Sequence, residues 1–465
     1  MRTMSRTLPL ILATALFMEN MDSTVIATSL AAIASDIGTD PISLKLALTA
    51  YLVALAIFIP ISSWMADRFG ARRVFRAAML VFMAGSIACA LSGSLAQFVG
   101  ARFMQGMGGA MMGPVARLVL VRATPRHQLV DAMAWLTIPA MVGPIVGPPF
   151  GGFLTTYFSW HWIFIINVPI GLFGIVLVGL VLPDATERNA PRHIDFPGFL
   201  LAGSAFALFA FGCSVMSLPA LPLSIGVIAT MAGVGLGAFY VFHALRTEFP
   251  LLDLRLLRLP IFRSAVVAGT FFRLGQGATP FLFPLMLQLA FGMTPFESGM
   301  VTFAGAVGAL VAKFMSNWLF GRFGFKYPLI LATAIASLGI LAMGLYTPQT
   351  PLPLILAILV FTGFWQSVFW TGSNAFVFAD VEDKDAGQAN VISQVWGQLM
   401  FAMGVALGGG ALELAYRLRG GDSLALVDFH IAFYIVAAVG AVAALLFLRL
   451  PRNAGHQLMA GGGVH

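Results

Sequence analysis

The chain has 465 residues, of which 59% are apolar and only 10% are charged, against about a quarter charged in soluble domains. No single soluble core could hide that much apolar surface, so the composition excludes a soluble protein and predicts an integral membrane protein. The net charge of +7 does not indicate nucleic-acid binding, because most basic residues lie in short clusters between apolar runs.

Fourteen segments are long and apolar enough to cross a bilayer, which takes about 20 residues. They are predicted at 8–33, 44–64, 74–94, 97–120, 129–156, 162–182, 197–217, 222–243, 262–290, 297–319, 328–346, 353–378, 387–415 and 428–450. The first segment is interpreted as a retained helix, because no convincing signal-peptidase site follows it.

Basic residues follow the even-numbered segments, which predicts that both termini are cytoplasmic. The clusters contain Arg68, Arg72, Arg73, Arg76, Arg122, Arg126, Arg188, Arg192, Arg246, Arg255, Arg258, Arg263, Arg322 and Lys326. The opposite loops carry little more than Lys45, Arg417 and Arg419. The expected location is a bacterial inner membrane.

An internal repeat relates two parts of the chain. Residues 62–73 read SSWMADRFGARR and residues 316–327 read SNWLFGRFGFKY, a match without gaps at a shift of 254. Both follow the second segment of a possible six-span unit, so the sequence predicts two six-helix bundles in parallel repeat. The predicted units are 1–185 and 255–452, with two additional helices in 195–245 and a short cytoplasmic tail at 453–465.

Two motifs carry a resemblance to the major facilitator superfamily. SWMADRFGARR resembles its cytoplasmic loop signature through Asp67, Arg68, Gly70, Arg72 and Arg73. The resemblance implies a charged latch at the cytoplasmic gate, whereas a plain topology anchor is the alternative. ARFMQGMGGAMMG resembles the family's fourth-helix motif through Arg102, Gln105, Gly106 and Gly108. An arginine inside a span faces a partner or a wet cavity.

Further motifs resemble the fourteen-helix drug:proton antiporter branch of that superfamily. GPIVGPPFGG resembles the antiporter signature, with matches at Gly143, Pro144, Gly147, Pro148, Gly151 and Gly152. MDSTVIATSL matches a branch pattern at Asp22 and Thr24. SWHWIFIINVPIG matches another, with Asn167 conforming and His161 in place of the usual Arg. The resemblance implies proton-coupled efflux of lipophilic or amphiphilic compounds, cations among them.

Asp22 and Glu19 are the acids of the first span, and they lie on nearly the same side of a helix. The resemblance gives Asp22 the role of coupling protons to substrate. Burial disfavours a charged carboxylate and a nearby guanidinium favours it, so Asp22 beside Arg102 can gain and lose a proton. Glu19 has three open interpretations: a second proton carrier, a cation-binding group or a structurally paired acid.

Other polar and aromatic residues inside spans are candidates for lining a cavity. They are Gln105, Asn167, Arg273, Gln276, Gln288, Trp365, Gln366, Trp370 and Asn374. Helix-to-helix hydrogen bonds and interfacial tryptophans are the alternatives.

The sequence contains no phosphate loop and no metal-binding spacing, and Cys89 and Cys213 stand alone. We therefore expect no cofactor, no metal and no enzyme activity, and an ion gradient as the energy source. The expected partners are a small-molecule substrate, protons and the lipid bilayer, for a protein working as a monomer. A periplasmic adaptor with an outer-membrane channel is left open. The alternatives are an exporter of one metabolite or lipid, a uniporter, or a receptor without flux.

Overall fold

The computed structural model describes residues 7–125, 128–181, 194–216, 218, 222–382, 384–420 and 423–449. Helices make up nearly all of this part of the chain, and it contains no strand. The helices are α1 (Thr7–Val25), α2 (Leu30–Ile37), α3 (Lys45–Phe58), α4 (Ser62–Phe69), α5 (Ala71–Ala90), α6 (Leu95–Ala123), α7 (Leu129–Tyr157), α8 (Trp162–Ile165), α9 (Asn167–Val181), α10 (Phe196–Val215), α11 (Leu223–Arg246), α12 (Pro260–Leu289), α13 (Pro295–Phe323), α14 (Lys326–Met343), α15 (Leu352–Phe376), α16 (Ala386–Arg419) and α17 (Leu426–Leu448). Short 3-10 turns lie at Ile26–Thr28, Pro41–Leu44, Ile59–Ile61 and Leu254–Arg258. The predicted tail 453–465 and Arg126, Arg188 and Arg192 lie outside the described residues.

The all-helical membrane fold expected from the sequence is confirmed. Within the described ranges, twelve helical segments are long and apolar enough to cross a membrane. Each of the fourteen predicted segments is helical, but α6 and α12 are not among those twelve. Arginine, glutamine and glycine interrupt their apolar runs, although they are 29 and 30 residues long. A count of fourteen crossings stays a prediction.

The packing of helices repeats between the two halves of the chain. In the first half α1 packs against α7 and α3 against α6. In the second half α12 packs against α16 and α13 against α15. Helices α1 and α5 both contact α9, as α12 and α14 both contact α17. The same internal order in both halves is what a parallel repeat requires. The bounds of the units stay predictions.

The additional helices α10 and α11 pack against each other beside the seam between the halves. Helix α10 contacts α3 of the first half and α16 of the second. At one of these contacts the rings of Phe58 and Phe199 lie 6.0 Å apart. Because neither helix lines either of the two cavities described below, the pair supports the outside of the bundle.

The sequence repeat is also a structural repeat. Gly70 follows α4 with φ of +89°, and Gly324, which lies 254 residues later, follows α13 with φ of +71°. This left-handed backbone favours glycine over any residue with a side chain. Before the first glycine, the ring of Trp64 packs edge-on against that of Phe69, with centroids 6.0 Å apart. Before the second, the ring of Trp318 packs edge-on against that of Phe323, also at 6.0 Å.

Three sequence expectations need correction. The predicted helix 44–64 is interrupted by the 3-10 turn Ile59–Ile61 between α3 and α4. The predicted helix 8–33 is broken, because α1 ends at Val25 and a 3-10 turn precedes α2. There the Thr28 hydroxyl donates to the Val25 carbonyl at 3.2 Å, a local bond that competes with continued helix. Lys45, expected in an outer loop, is the first residue of α3 and is buried. Its stem lies against Gly409 of α16, where the absence of a side chain leaves room for it.

Candidate transport site

Asp22 on α1 lies in a buried polar network. Its Oδ2 accepts a hydrogen bond from Arg102 Nη1 at 2.7 Å. Its Oδ1 accepts from Gln105 Nε2 at 2.8 Å and from Asn167 Nδ2 at 2.8 Å. The four side chains are at most 1% exposed. Both carboxylate oxygens therefore have donors, which is how a buried charge is tolerated.

Ser86 on α5 completes this network. Its hydroxyl accepts from Gln105 Nε2 at 2.7 Å and from Asn167 Nδ2 at 3.2 Å. Arg102 also donates to Gln105 Oε1. Helices α1, α5, α6 and α9 thus meet at five side chains, which we call the acid–arginine cluster: Asp22, Ser86, Arg102, Gln105 and Asn167.

Aromatic rings hold the arginine of the cluster in place. Arg102 Cζ lies 4.3 Å from the ring centroid of Tyr51 and 5.8 Å from that of Phe164. Such contacts favour a cation over an aromatic face. Tyr51 and Arg102 also line the larger of two cavities, whereas Asp22 does not. The guanidinium therefore stands between the carboxylate and the cavity.

Glu19 has different surroundings from Asp22. Residues three apart on a helix point about 60° apart, enough to meet different neighbours. Glu19 is partly buried and lines the cavity, where its Cγ lies 3.6 Å from the position that a Cβ on Gly109 would take. Within the described part of the chain it accepts no hydrogen bond, and Arg117 supplies the opposing charge nearby. Glu19 thus faces the space in which a ligand could lie.

The larger cavity has a volume of about 740 Å³ and lies between the two halves of the molecule. Helices α1, α3 and α6 line one side, and α12, α15 and α16 line the other. The cavity reaches Phe378, just beyond the end of α15, and Asn390 in the first turns of α16. It therefore extends from mid-bundle to the end at which α6 and α15 finish.

A smaller chamber of about 210 Å³ continues from the larger cavity toward the opposite end. Thr24 and Pro280 line both spaces. The walls of the chamber are mostly apolar and include the polar side chains Gln276 and Gln366.

Contacts between the halves close that opposite end. The amide of Phe296 on α13 donates to the Thr156 hydroxyl of α7 at 3.0 Å. Gln288 Nε2 of α12 donates to the Thr28 carbonyl at 2.9 Å. Gly152 lies so close to α13 that an added Cβ would stand 2.8 Å from Phe296 Cα. The described conformation is thus accessible from one end and sealed at the other.

Comparisons with known proteins agree with this architecture. The family model for the major facilitator superfamily matches residues 12–245 and 265–461. The chain belongs to the major facilitator superfamily. It is 34% identical over 457 residues to proteins named multidrug resistance protein MdtD in Salmonella typhi and Salmonella typhimurium, with 95% of this chain and 94% of each relative covered.

Solved structures of two transporters share the fold. A D-xylose–proton symporter has a TM-score of 0.68 at 14% identity, covering 97% of this chain and 98% of that one. The POT family transporter PepTSo has a TM-score of 0.69 at 15% identity over 100% of both chains. At such identities the likeness shows the fold alone, which is that of a multi-pass membrane transporter.

The antiporter motif of this superfamily member forms a close helix contact on both sides of α7. Gly143, Gly147 and Gly151 lie against α1, where a Cβ on Gly143 would come within 2.9 Å of the Met21 amide nitrogen. On the other side, Pro148 packs against Gly299 and Gly152 against α13. Pro144 is partly buried within the same helix. The motif therefore joins α1 to the closing contacts between the halves.

The gate motif has a different ion pair from the one expected. Asp67 Oδ1 lies 2.6 Å from Arg122 Nη2, in the last turn of α6, which is a partner outside its own motif. Arg68 and Arg73 are exposed, and Arg72 donates to the Gly179 carbonyl on α9. Adjacent residues on a helix do not face each other, so Asp67 turns to the neighbouring helix.

The residues predicted to line a cavity lie in several different places. Arg273, Trp370 and Asn374 line the larger cavity, and Gln276 and Gln366 line the chamber. Gln105 and Asn167 belong to the acid–arginine cluster, and Gln288 bonds between the halves. Trp365 packs edge-on against Phe364 at 5.6 Å and lines neither space.

Sequence reasoning missed a polar stripe on α16. Asn390, Gln394 and Gln398 all line the larger cavity, and Gln394 donates to Asn390 at 3.2 Å. Their spacing of four residues places them on one helix face, which is the signal that would have found them. Ser86 and Tyr51 were also missed, since nothing in their local sequence distinguishes them from packing residues.

Proposed function

We propose that this protein is a proton-coupled efflux antiporter that exports lipophilic or amphiphilic small molecules, drug-like compounds included, by alternating access. One observation carries the proposal: a buried carboxylate paired with a buried arginine at the wall of a cavity shared by both halves. The multidrug resistance name of the relatives supports the substrate class. The mostly apolar walls of the smaller chamber suit the apolar part of such compounds.

The proton step follows from the cluster. With Asp22 charged, the carboxylate holds Arg102 through the 2.7 Å ion pair. A proton on Oδ2 would neutralise the acid, remove that attraction and leave a buried guanidinium without its counter-ion. Arg102 lines the cavity, so its release changes the charge that a substrate meets. Proton binding therefore adds positive charge at the cavity wall and opposes the binding of a cationic substrate through one side chain.

The direction of the proton gradient sets the order of steps in the proposed transport cycle. In the described conformation substrate enters from the accessible end while Asp22 loses its proton. After the contacts at Gly152 and Thr156 open and the other end closes, a proton from outside neutralises Asp22 and substrate leaves. We propose that the accessible end is cytoplasmic, as the basic loops of the sequence predict.

The orientation, location and assembly belong to the same proposal. We propose an inner membrane protein with both termini in the cytoplasm, acting as a monomer, with an adaptor and outer-membrane channel as an optional extension. Tags at either terminus and within 247–253 should be reachable from the cytoplasm alone, and a tag within 347–351 from outside. The reverse labelling would overturn the orientation.

The function is tested by measuring both fluxes together. Purified protein is reconstituted in proteoliposomes with an internal pH dye and an imposed proton gradient, and a panel of neutral and cationic fluorescent amphiphiles is supplied. Uphill movement of a dye with proton movement in the opposite direction is the expected result. Binding without flux would mean a receptor, and flux without proton movement would mean a uniporter.

A further inference from the structure

Arg273 on α12 is a buried guanidinium that has no polar partner in the described part of the chain. Its side chain is 4% exposed and lines the larger cavity. Its Nε has no hydrogen-bond partner, and no ion pair among the described residues includes it. A guanidinium carries five N–H donors and no acceptor. Inside a membrane protein such a group is costly unless something satisfies it.

Among the described residues, no acid pairs with Arg273. On α16 one neighbour is Gly397, where an added Cβ would lie 3.3 Å from Nε. On α15 the neighbour is Trp370, whose ring centroid lies 5.4 Å from Cζ. These neighbours leave room and an aromatic surface around the guanidinium, and they supply no counter-charge.

An aromatic shelf continues from that contact. Trp370 stacks on Phe401 with ring centroids 5.8 Å apart, and Phe272 packs edge-on against Trp370 at 5.7 Å. Trp370 and Phe401 both line the cavity. A ligand with its charged group at Arg273 would therefore lay an apolar or aromatic body on this shelf.

Glu19 holds the equivalent position in the other half of the molecule. The shift of 254 that relates residues 62–73 to 316–327 also relates Glu19 to Arg273, since 273 − 19 = 254. Both side chains line the same cavity. The repeat has thus placed a carboxylate on one wall and a guanidinium on the other.

We propose that Arg273 is the anion-binding group of the transport site and that the substrates include amphiphiles carrying a carboxylate. The planar fork of arginine matches a carboxylate through two parallel hydrogen bonds. The carboxylate docks on Arg273 and the apolar body lies along Trp370 and Phe401. This rests on the proposed function, because the site lies within the same cavity, and it narrows the substrate class of that cavity.

A matched set of probes tests the proposal. The probes are dansylaminoundecanoate, its methyl ester and the trimethylammonium analogue of the same chain length. Their dissociation constants are measured by dansyl fluorescence with the full-length protein in detergent at neutral pH. Wild-type protein should bind the carboxylate about tenfold more tightly than the ester, the scale of a hydrogen bond to a charged group.

Variants locate the effect. Arg273→Gln should remove the preference for carboxylate over ester, and Arg273→Lys should keep part of it. Lys313→Gln is the matched control, because Lys313 is an exposed cation on α13 that bonds to Thr371 and lines neither space. It should leave the preference unchanged.

Two results would overturn the proposal. One is a wild type that binds the carboxylate no more tightly than the ester, including the case in which neither binds. The other is an Arg273→Gln variant that keeps the preference. Failure of the proposed function has a different signature, because none of the neutral and cationic dyes of the flux assay would then move against its gradient with protons.

Discussion

The two halves of the molecule each bring one buried arginine to the same cavity, and the two arginines have opposite surroundings. Arg102 is bonded to Asp22 and Gln105 and lies over the ring of Tyr51. Arg273 has one aromatic neighbour and no described hydrogen-bond acceptor. Each is at most 4% exposed, so burial alone does not separate them.

Pairing with an acid, more than burial, indicates what a membrane arginine does. The charge of Arg102 is compensated within the protein, so it changes its interactions when Asp22 changes its protonation. The charge of Arg273 is compensated by nothing in the described structure, so it is available to a ligand. One half of the site is therefore suited to handling the proton and the other to holding the solute.

Removing the acid of the paired half should have the largest effect. Asp22→Asn keeps nearly the same shape and fixes a neutral side chain, so the protein should fold and reach the membrane. Uphill efflux and substrate-driven proton movement should fall to the level of protein-free liposomes, while downhill exchange persists. Proteoliposome fluxes measured together check this. Full proton-driven accumulation by the variant would remove Asp22 from its coupling role.

In the described conformation both arginines line one cavity, and the contact at Gly152 closes the opposite end. In Gly152→Ala the new methyl group would meet the backbone of α13, and overpacking of about 1–3 kcal/mol would shift the balance between conformations about tenfold. Labelling of Ser393→Cys by a maleimide, from the side we propose as cytoplasmic, should slow, by at most the same factor.

The matched control for that experiment is Gly100→Ala, since nothing lies within 4 Å of a Cβ at that position. Protein without Ser393→Cys gives the background from Cys89 and Cys213. Equal labelling of the two alanine variants would show that the contact at Gly152 does not hold the closed end.

The ion pair of Asp67 and Arg122 is another asymmetry between the halves, because the residue equivalent to Asp67 in the second copy of the repeat is Gly321. Asp67→Asn should lower transport about fivefold at equal expression, because a partly exposed pair contributes up to about 1 kcal/mol. The charge-swapped double variant, Asp67→Arg with Arg122→Asp, should recover most of the loss. If the flux does not change, the gate motif acts only as a topology anchor.

The smallest expected effect belongs to Glu19. Glu19→Gln should leave proton coupling intact and lower the preference for the trimethylammonium probe over the ester about threefold, as expected for a screened charge facing a wet cavity. Dissociation constants from dansyl fluorescence check this. If Glu19→Gln instead abolishes coupling while Asp22→Asn does not, the roles of the two acids must be exchanged.

The sequence alone determined the fold class, the internal repeat and the candidates for the site. Apolar runs long enough to span a membrane and the recurring Trp–Phe–Gly pattern are local signals, so they can be recognised from the sequence alone. The motifs on their two helices predict that Asp22 and Arg102 are partners. The glycine-rich motif of α7 likewise predicts a close packing face.

The partner that each polar side chain meets depends on how the helices pack. Glu19 and Asp22 are three residues apart, yet a rotation of about 60° sends one to the cavity and the other to the cluster. Asp67 reaches Arg122 across 55 residues of chain, Lys45 is buried against α16, and Arg273 is left without an acid. These outcomes depend on distances between helices far apart in sequence, which no local pattern encodes.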